Sequence, residues 1–321
     1  MIIRLNLVAI HPRFGRRECY RALTALVILL GWAATGCRPA PTSQPSATNS
    51  GDPSKLAVFV SILPQAFFVE RIGGEYVDVN VLVRPGQSPH SYEPTARQMS
   101  ALAKARVFFR IGVPFEEVLV PKIEGTFKQL EMCDTCIGIE RRTMACVEHD
   151  HDHDHERGTD DPHTWLSPRL VKIQAQNICD ALCRLDPPHA DDYRHNLAAF
   201  HDELDALDAR LAAALAPLKG RELFVFHPAY GYFADAYGLK QVPVEIEGKE
   251  PTARNLAALI ERAKATNVRV IFVQPQFSDA SAAVVAREIN GAVIPLDPLA
   301  RDYCANMEHM AAAVTKALAD N

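Results

Sequence analysis

The apolar spacing between residues 197 and 215 constrains this fold more than any other feature. Leu197, Phe200, Leu204, Leu207, Leu211 and Leu215 recur at intervals of three and four, with charged residues between them. That spacing lines one face of an α-helix. It predicts a single helix over about 190–216, roughly 40 Å long at ~1.5 Å per residue. Pro187-Pro188 separates it from a shorter helix over 169–185, because proline lacks the amide donor that would continue the helix. The repeat lasts fewer than four heptads, which argues against a dimeric coiled coil and for a monomer.

On either side of this rod, short β-rich runs alternate with amphipathic helical ones. Before it, 56–61, 77–83 and 107–111 read as strands. Residues 65–72 and 95–104 read as helices, the first ended by Gly73-Gly74 and the second capped by Thr95. After it, 223–226, 241–246, 268–273 and 292–296 read as strands, and 230–237, 252–265, 278–289 and the C-terminal segment as helices. Alternation of this kind builds parallel sheets flanked by helices. The expected fold is α/β: two parallel-sheet lobes, over 55–167 and 218–321, joined rigidly by linking helices over 168–217.

Residues 1–37 indicate where the body works. Arg4, Arg13, Arg16, Arg17 and Arg21 precede the apolar run 22–30, and small residues lead to Ala34-Thr35-Gly36-Cys37. A basic start, a short apolar core and small residues make a secretory signal, too short for a membrane span. Its end resembles a bacterial lipoprotein signal, in which Cys37 becomes the acylated first residue, although Ala34 stands where leucine is usual. Residues 38–54, rich in Pro, Ser and Thr, have almost nothing to bury and read as a flexible linker. The chain is thus expected to be exported and held to the membrane by an N-terminal lipid anchor, facing the periplasm or the cell exterior. Its formal charge is −5, and removing the arginines of the signal makes the remainder more acidic. With no Lys/Arg cluster, nucleic acid is not an expected partner.

Histidines then carry the chemistry. Glu148-His149-Asp150-His151-Asp152-His153-Asp154-His155 has no apolar side chain with which to build a core. Neutral imidazole is the commonest biological metal ligand. His149, His151, His153 and His155 therefore read as an auxiliary metal collector in an exposed loop over 148–160. Other candidates sit in ordered, proline-flanked settings: Pro89-His90-Ser91, Asp161-Pro162-His163, Phe226-His227-Pro228 and Leu296-Asp297-Pro298. His90, His227 and Asp297 follow predicted strands, and open α/β sheets bind ligands outside the carboxyl ends of their strands. Three imidazoles with a carboxylate suit Zn²⁺, at Zn–N distances of about 2.0–2.1 Å.

Cysteine usage is less decisive. Outside the cytoplasm Cys133, Cys136, Cys146, Cys179, Cys183 and Cys304 form an even set whose pairing the sequence leaves open. Cys133-Asp134-Thr135-Cys136 with Cys146 fits a thiolate metal site, a redox pair or a local disulfide, and export favours the disulfide. Cys179 and Cys183 share a helical face, where buried thiols are an adequate reading.

The same residues carry a resemblance. Pro85-Gly86-x-x-Pro89-His90-x-Tyr92-Glu93-Pro94, Asp161-Pro162-His163-x-Trp165, Phe226-His227-x-Ala229-Tyr230, Glu247-Gly248-Lys249-Glu250-Pro251 and Leu296-Asp297-Pro298-Leu299 occur in order. Asp186-Pro187 and Tyr193-x-x-Asn196 mark the start of the long helix. Together they resemble the zinc/manganese-type solute-binding lipoproteins of bacterial ABC importers, from about residue 56 to the C-terminus. The resemblance implies a metal site in the interlobe cleft, His90 and His163 coming from the N-terminal lobe and His227 and Asp297 from the C-terminal lobe. It also implies an ABC permease and its ATPase as partners.

Manganese prefers more oxygen ligands, whereas three imidazoles favour zinc. Manganese members of that family carry a second carboxylate where this chain has His227, and zinc members commonly carry a His-rich loop. Zn²⁺ is the expected cargo and Mn²⁺ the alternative. The chain departs from the family in its short loop, and Cys304 is the only cysteine after Cys183. A disulfide within the C-terminal lobe, seen in some zinc members, therefore cannot form. The competing classes are a surface metal store or adhesin and a secreted zinc hydrolase with an open coordination position. His155-Glu156-Arg157-Gly158-Thr159 lacks the second histidine of the helical protease signature, and Gly86-Gln87-Ser88-Pro89-His90 lacks the closing glycine of a nucleophile elbow. A carboxylate closing the coordination shell suits binding rather than catalysis.

Overall fold

Leu56–Val60 (β1) and Val107–Arg110 (β3) bury Val58, Phe59, Val60, Val107, Phe108 and Phe109 in consecutive runs, as strands covered by helices on both faces do. A computed structural model describes residues 55–144, 159–245, 253–277 and 280–319. The signal, the linker, the histidine tract, Cys37, Cys146 and Glu247–Pro251 lie outside these residues. In the N-terminal half β1 is flanked by β2 (Val77–Val81) and β3, and β3 by β4 (Glu131–Asp134), every pair parallel, in the order β2-β1-β3-β4. The C-terminal half repeats the arrangement with β5 (Glu222–Val225), β6 (Lys240–Pro243), β7 (Val270–Val273) and β8 (Ala292–Pro295), in the order β6-β5-β7-β8. In both sheets the winding direction reverses beside the first strand, between β1 and β3 and between β5 and β7. Such a switch point opens a crevice at the carboxyl ends of the strands.

Helices α1 (Leu63–Gly73), α2 (Ala96–Leu102) and α3 (Pro114–Glu124) connect the first sheet, and α6 (Gly231–Tyr237), α7 (Ala253–Ala265), α8 (Ala280–Glu288) and α9 (Tyr303–Ala319) serve the second. Thr95 caps α2, its Oγ1 accepting from the Gln98 amide at 3.3 Å, which satisfies one orphan donor of the first turn. Between the sheets run α4 (Pro168–Leu185) and the 26-residue α5 (Ala190–Leu215). Tyr193, Leu197, Phe200, Leu204, Leu207, Leu211 and Leu215 form the buried face of α5. It contacts α1 and α4 on the N-terminal side and α9 on the C-terminal side. None of the described helices is long and apolar enough to cross a membrane.

The structure adds α3 and β4, which the sequence reading passed over. It also places the described cysteines, Cys146 lying outside these residues. Cys133 and Cys136 are free thiols: Cys133 lies in β4, while Cys136 turns inward, its Sγ 3.4 Å from the Ile111 carbonyl and 3.5 Å from Thr164 Oγ1. Asp134 Oδ1 accepts from the Cys136 amide at 2.8 Å and fixes the turn that separates them. Cys179 and Cys183 face each other on α4 with sulfurs 3.8 Å apart, also free.

Candidate metal centre

His227 stands at the switch point of the second sheet. It follows β5, and its backbone is clamped by Gln274 beyond β7, which accepts from its amide at 3.4 Å and donates to its carbonyl at 3.1 Å. Its ring stacks on Phe277 at 4.9 Å and 24°. Glu245, two residues past β6, is buried and sits 3.3 Å from His227 Nδ1. A carboxylate in this position holds the proton on Nδ1 and turns the Nε2 lone pair toward the site.

His163 is held by a parallel device. Asp161 Oδ1 accepts from the His163 backbone amide at 3.0 Å and lies 2.7 Å from its Nδ1. Pro162 between them has no amide to compete. The neighbouring Trp165 crosses to the other half of the molecule, its Nε1 donating to the Pro298 carbonyl at 2.8 Å. His90 comes from the long connection between β2 and α2, and keeps a solvent-facing edge. Its Nε2 approaches His227 Nε2 to 3.0 Å.

These three are the one group of metal-ligating side chains among the described residues, with donor atoms all within 4.8 Å of one another. A tetrahedral zinc ion at ~2.0–2.1 Å from each nitrogen would separate ligands by about 3.3 Å, close to the His90–His227 spacing. The cavity between the rings measures about 20 Å³, room for one water-sized sphere. Its walls include Pro89, Val113, Trp165, Phe277 and Leu299. This space suits a single ion. Burial and the two neighbouring imidazoles pull the His90 pKa down to about 3. Burial lowers that of His227 too, against the opposing hydrogen bond from Glu245. Both rings are thereby kept neutral, the form that coordinates metal.

Asp297 does not join the three imidazoles. Its Oδ1 accepts from Gln276 Nε2 at 2.8 Å and from the Leu299 amide at 2.9 Å. It lines an adjoining interlobe cavity with Arg84 and Arg301. Glu245 and Gln274 were absent from the sequence reading of the site, and Asp161 entered it only as part of a motif. The available signal for Glu245 was a carboxylate directly after the apolar run 242–244, near the end of the predicted strand.

Residues 58–317 match the model of the family described as zinc-uptake complex component A, periplasmic. Among curated proteins, the chain is 32% identical over 261 residues to the high-affinity zinc uptake system protein ZnuA of Bacillus subtilis strain 168, covering 79% of this chain and 81% of that one. It is 29% identical over 266 residues to a putative metal-binding protein of Chlamydia muridarum, covering 81% of this chain and 91% of that protein. Among solved structures, a crystal structure of ZnuA aligns with TM-score 0.76 and 41% identity over 82% of this chain and 99% of the other. A zinc-bound ZnuA lacking residues 138–173 of its own numbering aligns equally well, with TM-score 0.76 and 40% identity.

Proposed function

The chain belongs to the family of periplasmic zinc-uptake complex component A, and from that premise we propose that it captures Zn²⁺ outside the cytoplasm and delivers it to an ABC importer. One observation carries the reading: His90, His163 and His227, from three separate loops, aim their donor atoms into a space fit for one ion. In this proposal the three imidazoles are the direct ligands. Asp297 closes the shell by turning away from Gln276, or leaves the fourth position to water. Three neutral nitrogens and at most one carboxylate favour Zn²⁺ over Mn²⁺, which prefers a larger oxygen share. A shell filled by binding residues suits capture and release, not turnover.

The remaining assignments follow from the same proposal. His149, His151, His153 and His155 raise the local metal concentration beside the site. Cys37 carries the lipid anchor, 38–54 is the tether, and a permease with its ATPase receives the ion. The lobes are divided as 55–167 and 218–321 about the linking helices 168–217. Competitive titration of the full chain with Zn²⁺ against Mn²⁺ tests the reading. One tight zinc site lost in His227→Ala, plus weaker sites lost on deleting 148–155, is the expected result. Tighter manganese binding would overturn the choice of metal, and an unaffected tight site in His227→Ala would overturn the assignment.

A further inference from the structure

We propose that Arg142 is a positioning residue that ties contact between the two lobes to the aim of His163, so that breaking the interlobe contact loosens a metal ligand. The inference rests on the metal-capture reading above and concerns how the ion is let go.

Arg142 belongs to the N-terminal half yet is built into the C-terminal one. Its backbone lies in a short antiparallel ladder at the base of 145–158: Asp161 N donates to Arg142 O at 2.8 Å, Met144 N donates to Thr159 O at 2.9 Å, and Thr143 bridges Asp160. Its amide donates to Tyr232 Oη at 3.0 Å, and that hydroxyl donates to the Asp161 carbonyl at 3.1 Å. The guanidinium then reaches two carboxylates. Nη1 lies 3.5 Å from Asp161 Oδ2, and Nε lies 3.2 Å from Asp235 Oδ2 on α6. The Tyr232 ring faces it at 5.8 Å.

Asp161 links the two contacts. It is fully buried, and its other oxygen, Oδ1, aims His163 through Nδ1 at 2.7 Å. A carboxylate is planar, so what holds Oδ2 also sets where Oδ1 points. Arg142 holds Oδ2 and is itself anchored on α6, in the opposite lobe. The ring that offers Nε2 to the metal is therefore aimed through a chain of contacts crossing the lobe boundary. Separation of α6 from this ladder takes away Asp235 and Tyr232, releases the guanidinium and leaves Asp161 Oδ2 unheld, so that the carboxylate keeps its Oδ1 contacts to the His163 amide and ring alone.

Gly231, the first residue of α6, shows that the space is shaped for this guanidinium. A Cβ placed there would fall 1.3 Å from Arg142 Nη1, 2.5 Å from its Cζ and 2.9 Å from Asp161 Oδ2. These are the ends of side chains, not backbone, so alanine at 231 can be accommodated by expelling the guanidinium and by a small shift of Asp161 Oδ2. Gly231→Ala thus removes the contact while keeping the charge in the protein, which Arg142→Gln does not.

The test measures zinc release from the loaded full chain into excess chelator, with zinc uptake measured separately. Arg142→Gln and Gly231→Ala are each expected to speed release by about tenfold, the lower range for outer-sphere changes at metal sites, with a smaller slowing of uptake. Asp235→Asn should speed release less, and add nothing in the Arg142→Gln background, because both act through one contact. Arg142→Lys keeps the charge without the two-sided reach and should restore little. In the metal-free proteins, amide hydrogen exchange over 231–237 should be faster in Arg142→Gln and Gly231→Ala than in the parent, a readout needing no zinc. Unchanged release in both variants, or effects of Asp235→Asn and Arg142→Gln that add, would overturn the proposal. A parent chain without a tight zinc site would instead sink the capture reading, leaving hydrogen exchange to judge the lobe contact.

Discussion

A buried carboxylate stands behind each of two imidazoles, Asp161 behind His163 and Glu245 behind His227. Each decides which ring nitrogen bears the proton, and so which faces the metal. Removing such a partner costs less than removing a ligand but more than trimming the rim. Glu245→Ala is expected to weaken zinc binding by about 10–100-fold, with Asp297→Ala weakening it less, because Asp297 is tied to Gln276 and Leu299. Competition titration of the two variants checks the order, and a larger loss in Asp297→Ala would show that Asp297 turns fully into the shell. His90, His163 and His227 were legible in the sequence because each sits beside a proline in a loop. Glu245 was not: its partner lies 18 residues away, and only the parallel pairing of β5 with β6 brings the two strand ends together.

At the scale of elements, spacing spoke clearly where one face is buried and poorly elsewhere. Helix α5 followed from six of its seven buried positions, whereas β4, with the sequence Glu-Met-Cys-Asp, has every residue only partly buried. It is an edge strand, and polar edge residues hide the apolar alternation that betrays a central one. Helix α3 is hard to read for another reason: it opens on Pro114, where proline is tolerated, but also contains Pro121 in its interior, where proline disfavours a helix. Since α5 carries the core between the lobes, truncating it should be costly. Leu207→Ala, at a fully buried position, is expected to lose about 2–5 kcal/mol. Asp202→Ala, on the exposed face, should stay within about 0.5 kcal/mol. Urea unfolding of both variants settles the comparison, and equal losses would mean that α5 does not carry the core.

For the molecule as a whole, the lobes are joined by more than one rod. Phe68 of α1 packs edge-on against Tyr303 of α9 at 5.0 Å, and both Phe67 and Phe68 meet Phe200 of α5. A single apolar cluster runs from β1 and β3 through α5 to β5, β7 and α9. Trp165 adds a hydrogen bond across the cleft. A wide hinge would have to break these contacts, whereas release of one ligand through Arg142 would not. Zinc should therefore stabilise the fold without compacting it. At a free metal concentration of 100 times Kd, linkage adds about 2.7 kcal/mol to unfolding, which a chemical denaturation series with and without zinc would read. Small-angle scattering profiles of the metal-free and loaded full chain should superimpose over the same range. A clear shrinkage on loading would place the motion in the lobes themselves, and α5 with its aromatic contacts would then have to bend.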